Sequence, residues 1–126
     1  MNHRLGALVL ALTIPVGSTV AAHHSQAGFD PNDKPIVLNG TVVEWRWRNP
    51  HVLLFWDVTD DSGKVVRWVG QFSSIVSTIA RGLDKDSFKP GETIVLTGIK
   101  SRAGGAVMRI HKIERSDGTF VEGFDD

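Results

Sequence analysis

Apolar and polar residues alternate along most of this chain, and the alternation predicts strands. Val52, Leu54, Trp56 and Val58 share one side of a strand over His51–Thr59, with His51, Leu53, Phe55 and Asp57 on the other. Val66, Trp68, Gly70 and Phe72 share a face over Lys64–Phe72, and Ile94, Leu96 and Gly98 share one over Glu92–Lys100. Over Ala106–Glu114, Met108 and Ile110 lie opposite Val107, Arg109, His111 and Ile113. The first strand, Pro35–Trp47, carries two sets out of phase by one residue, Ile36-Leu38-Gly40 and Val43-Trp45-Trp47. A bulge or sharp coil at Gly40 would reconcile them.

Turn chemistry divides these segments. Arg48-Asn49-Pro50 ends the first strand, because proline restricts Asn49 and offers no ladder donor. Asp60-Asp61-Ser62-Gly63 reads as a hairpin turn, and Lys89-Pro90-Gly91 has the Pro-Gly order of a type II turn. Ser73-Ser74 offers a helix N-cap and Gly82 a C-terminal stop. Between them Ile75, Val76 and Ile79 fit one helical face, with Arg81 in the last turn. Ser116-Asp117-Gly118 precedes a short segment, Thr119–Val121.

The resulting order is β-β-β-α-β-β with a long first strand. It predicts a mainly β fold: a small five-stranded OB-fold-like barrel with one short helix between strands three and four. An antiparallel sandwich is the rival, since strand count alone does not establish closure. The domain spans 35–122, preceded by an extended arm over 23–34 with Phe29 as its anchor, and followed by a frayed tail at 123–126.

The beginning of the chain follows a different pattern. A short basic start, Met1-Asn2-His3-Arg4, leads into an apolar run from Leu5 to Val16, then small residues and Ala21-Ala22. Residues 1–22 therefore read as a secretory signal peptide, which predicts a periplasmic or secreted protein. The run is too short to span a membrane and is interrupted by Pro15 and Gly17. Losing Arg4 with the leader takes Lys+Arg from 14 to 13 against 14 acids, a formal charge of −1. A nearly neutral domain lacks the basic footprint of a nucleic-acid binder. With no cysteine, the fold has no disulfides and must be held by packing.

Candidate chemistry concentrates in histidine and tryptophan. Cleavage after Ala22 makes His23 the first residue, so its amino group and ring could chelate a metal with a second histidine. Cleavage after Ala21 leaves Ala22-His23-His24, in which the amine, two amides and the third-residue imidazole form a square-planar nitrogen set. Both arrangements suit copper or nickel. His51 follows the proline turn and is the third candidate ligand, with Asn49 fixing the turn as its support. The bland reading of His51 is a ring bonded to a nearby backbone carbonyl; that of His23 and His24 is two solvated polar residues.

The alternative is a small organic, sugar or protein ligand on an aromatic face of Trp45, Trp47, Arg48, Asn49 and Phe55, where rings could stack. Core and rim packing is the competing role for those rings. A structural envelope protein without a ligand is a third reading. The chain carries no G-x-S-x-G elbow, phosphate loop or H-E-x-x-H, so it is read as a binding module and not an enzyme.

Several short motifs occur in a suggestive order: His23-His24-Ser25, Gly40-Thr41-Val42, Trp45, Asn49-Pro50-His51, Gly63-Lys64 with Trp68, and Pro90-Gly91. In this order the chain resembles a domain-of-unknown-function family of small exported bacterial proteins. That resemblance covers nearly the whole segment after the leader and implies export and fold more than activity. It also implies an acidic residue late in strand three, where this chain has Gln71. A ligand role for that acid would not carry over. More distantly the layout is similar to periplasmic OB-fold proteins, some of which bind copper or other small ligands, an analogy of fold alone.

Overall fold

A computed structural model of the chain describes residues 28–122. The expected leader, His23, His24 and the final tail lie outside the described residues. Six strands form in chain order: β1 (Ile36–Arg46), β2 (Leu53–Thr59), β3 (Val65–Gln71), β4 (Thr93–Lys100), β5 (Val107–Arg115) and β6 (Phe120–Glu122). One helix, α1 (Ile75–Ala80), lies between β3 and β4.

The sheet runs β3-β2-β1-β4-β5-β6, and β3 also pairs with β5 in parallel through Val69–Val107, Gly70–Met108 and Gln71–Arg109. That short parallel ladder closes five strands into a mixed barrel, with β6 added outside on β5. Closure removes most of the unpaired edge that an open sheet would present, and it decides against the sandwich. The long β1 is shared between two neighbours. Its first half, Ile36–Thr41, pairs with β4, and its second half, Thr41–Arg46, pairs with β2.

Alternation from Val52 through β2 points Val52, Leu54, Trp56 and Val58 inward, all buried. They meet Ile94 and Leu96 of β4 and Met108 and Ile110 of β5 in one core. Met108 is fully buried as core filling. The β2–β3 hairpin turns as its residues require. Oδ1 of Asp60 accepts from the backbone N–H groups of Ser62 and Lys64 at 2.9 and 3.0 Å, and Gly63 takes φ of 82°.

Four expectations need correction. The phase change in β1 falls at Val43, not Gly40: the ladder to β2 shifts between Val42 and Glu44. Gly40 keeps its inward place because the Trp56 indole occupies the space a side chain would need. In β5, Thr97 pairs with Lys112 and Gly98 with Ile110, so His111 is the extra residue of a bulge. The bulge reverses the alternation beyond it and buries Ile113, which the simple pattern had placed on the face opposite Met108 and Ile110.

The helix also faces differently. Val76 and Ile79 are 76% and 55% exposed, and Thr78 is the buried residue. Of the expected face only Ile75 packs against the core, beside Leu83 and Phe88 from the connection after α1. Trp68, which the alternation places on one face with the buried Gly70 and Phe72, is only half-buried against the core, with the Lys100 ammonium 5.8 Å from its ring centroid.

Candidate functional site

The turn between β1 and β2 is sewn to the segment joining β3 to α1. Asn49 Oδ1 accepts from the Ile75 N–H at 3.0 Å. The Val52 N–H donates to the Ser73 carbonyl at 3.1 Å, and the Phe72 N–H donates to the Val52 carbonyl at 3.0 Å. Between these ties stands His51, half-buried, its Nδ1 3.2 Å from the Phe72 carbonyl oxygen. A carbonyl only accepts, so Nδ1 carries the proton and donates. In the neutral ring the lone pair is then on Nε2, the nitrogen available to a ligand.

The bland expectation for His51, a ring bonded to a backbone carbonyl, is therefore met. The same bond orients the ring as metal-binding imidazoles are commonly oriented, with the second nitrogen hydrogen-bonded. Asn49 supports the turn by engaging the first N–H of α1, which would otherwise lack a partner within the helix. Among the described residues no group of three or more His, Cys, Asp or Glu could hold a metal ion. The expected partners of His51, His23 and His24, lie outside the described residues.

The aromatic candidates do not form one face. Trp45 turns inward at the end of β1, edge-on to Phe72 and Phe88 with ring centroids 5.2 and 5.0 Å away. Its Nε1–H donates to the Asp84 carbonyl at 2.9 Å. Trp47 joins this cluster, 5.7 Å from Trp45, and the Arg115 guanidinium lies 4.6 Å from the Phe88 ring. Phe55 projects from the opposite side of the β1–β2 ladder, opposite Glu44, and carries the Arg46 guanidinium 4.4 Å from its ring. Arg46 also grips Glu44 with two hydrogen bonds, at 2.8 and 3.0 Å, and these hold the Glu44 carboxyl below its ordinary range. Arg48 and Asn49 are exposed.

The spacing argument missed Phe72 and Phe88 as companions of Trp45, and Arg115 as the cation over Phe88. No local pattern could reveal them, because they come from the residue just after β3, the α1–β4 connection and β5.

Two comparisons bear on identity. No curated protein matches the chain. A family model does match, over residues 11–109, and its span takes in the barrel from β1 into β5 together with the Asn49-Pro50-His51 turn. The chain belongs to that family, DUF6152, a family of unknown function.

Proposed function

We propose that this protein is a small exported binding module that takes up a metal ion, copper foremost, through His51 and the arm histidines His23 and His24. The observation that carries the reading is the His51–Phe72 contact. It fixes one ring nitrogen as a donor to protein on a turn tied down on both sides. A preset imidazole loses little freedom when it meets a metal, and square-planar nitrogen donors favour Cu(II).

Binding to an aromatic face has weaker support. The N–H of Trp45 is engaged by Asp84, and Phe55 is covered by Arg46 on the other side of the sheet.

Titration of Cu(II) into the polypeptide beginning at Ala22 or His23, followed by visible absorption and electron spin resonance, tests the reading. The expected result is one-to-one uptake with nitrogen hyperfine structure, lost in His23→Ala plus His24→Ala. In the polypeptide beginning at His23, His51→Ala also weakens uptake; an unchanged uptake in His51→Ala removes His51 from the site and leaves the first residues of the chain as the whole donor set. Uptake unchanged by the double substitution overturns the assignment.

A further inference from the structure

We infer that the outer side of β2, β3 and the start of β5 is a docking surface for a partner polypeptide. The partner lies extended along β3 and presents a carboxylate to Arg109 and Gln71, with an apolar side chain two residues away. The inference does not rest on the metal reading above.

Ladder register places the residues. Val69 pairs with Val107 and Gln71 with Arg109 across the parallel ladder, and Leu53 pairs with Gln71 across the β2–β3 ladder. Their chain neighbours Leu54, Gly70 and Met108 are buried, so these five side chains leave the barrel on its outer side. Each of the five residues is half-buried. Among the described residues, no strand or helix packs over them. The solvent side of a sheet ordinarily takes polar residues, yet Leu53, Val69 and Val107 are apolar.

Charge on this face is unbalanced. Arg46, which pairs with Leu53, is held by Glu44, and Arg67 donates to both oxygens of Asp57 at 2.8 and 2.9 Å. Among the described residues, neither the Arg109 nor the Gln71 side chain has a hydrogen-bond or ion-pair partner. A guanidinium half out of water beside apolar groups gains most from a carboxylate, whose two oxygens match its fork. The Gln71 amide can donate to the same group.

Spacing defines the partner. Gln71 and Arg109 stand two residues beyond Val69 and Val107, about 7 Å along the strands, and neighbouring strands are about 5 Å apart. An extended polypeptide has the same two-residue period. Along β3 it sets an acidic side chain over Arg109 and an apolar one over Val69 and Val107. A sheet face offers a single wall, which suits a polypeptide better than a small molecule that needs enclosure.

The test titrates the probe peptide acetyl-Val-Ser-Val-Ser-Glu-amide into the protein at millimolar concentration, followed by NMR. The methyl signals of Val69 and Val107 and the side-chain amide of Gln71 should shift together. Replacing the probe's glutamate by glutamine should weaken binding about tenfold, and so should Arg109→Ala. Gln71→Glu, which sets a carboxylate beside the guanidinium within the protein itself, should weaken it as much. Absence of shifts overturns the proposal, as does equal affinity for the two probes, a comparison made on the unaltered protein. Wild-type affinity in Arg109→Ala or Gln71→Glu removes those residues from the surface and overturns it too. Acetate that reproduces the shifts at Val69 and Val107 would overturn the polypeptide as occupant.

Discussion

Trp56 is packed against Gly40 in the barrel interior: a Cβ at position 40 would lie 2.5 Å from its Cδ1 and would also strike the Asp57 carbonyl oxygen. One obstacle is a fully buried ring and the other is backbone, so neither can swing aside. On β4, Gly98 has the same relation to the Arg109 carbonyl and the Met108 side chain. Gly40→Ala should therefore destabilise the protein by about 1–3 kcal/mol through overpacking. Urea denaturation measures it, and a change within about 0.5 kcal/mol would show that the interior has more room than this packing allows.

Asn49 gives a second prediction. Asn49→Ala deprives the Ile75 N–H of its acceptor, a change akin to losing a helix cap, and should cost about 0.5–2 kcal/mol. Asn49→Asp keeps an acceptor and should recover most of that. Hydrogen exchange at Ile75 reports the bond directly: protection should drop in the alanine variant and return in the aspartate variant. Equal protection in all three proteins would mean that the turn is not held through this side chain.

Trp45 separates a packing role from a binding one. Trp45→Phe keeps a ring but leaves the Asp84 carbonyl without its donor, at about 0.5–1.5 kcal/mol for the bond. Trp45→Ala also removes the contacts with Phe72 and Phe88, for a total of about 3–5 kcal/mol. Chemical denaturation of both variants should follow that order. Full stability in Trp45→Ala would return the ring to the list of ligand platforms.

Acid should weaken the fold through identifiable carboxylates. Hydrogen bonds from Ser62 and the Lys64 backbone lower the pKa of Asp60; the Arg67 side chain does the same for Asp57, and the side chain and backbone of Thr119 for Asp117. A carboxyl whose folded pKa lies below its unfolded one stabilises the fold above the unfolded value, and that contribution disappears as the pH drops through the folded value. The melting temperature should thus decline as the pH goes below about 4. Asp60→Asn should shallow that decline, since its Oδ1 accepts from Ser62 and Lys64. An acid limb identical to wild type in this variant would assign the loss to other groups.

Local pattern carried far where one face of a strand is buried along its whole length. From Val52 through β2, alternation alone picked out Val52, Leu54, Trp56 and Val58, since no bulge interrupts that strand. The Ser74 cap and the hairpin at Gly63 were equally legible, because each depends on residues two or three positions apart. The pattern failed at Ile113 and Val43, where one inserted residue reverses the alternation, and a bulge shows only in the pairing with another strand. It failed again at Val76 and Ile79, because a helix of six residues has less than two turns to define a face, and this one meets the core through Ile75 and Thr78 instead.

The amino-acid order alone determined the succession of strands, the hairpin and proline turns, and the supply of histidine and tryptophan, because these follow from side-chain period and backbone restriction over a few residues. Tertiary structure decided which of those side chains meet. It gave the His51 ring its carbonyl partner at Phe72, enclosed Trp45 among rings from two other segments, separated Phe55 from it by the thickness of the sheet, and set Arg109 beside Gln71. Each of these contacts links positions far apart in the chain, and their proximity is created by barrel closure rather than by any local sequence period.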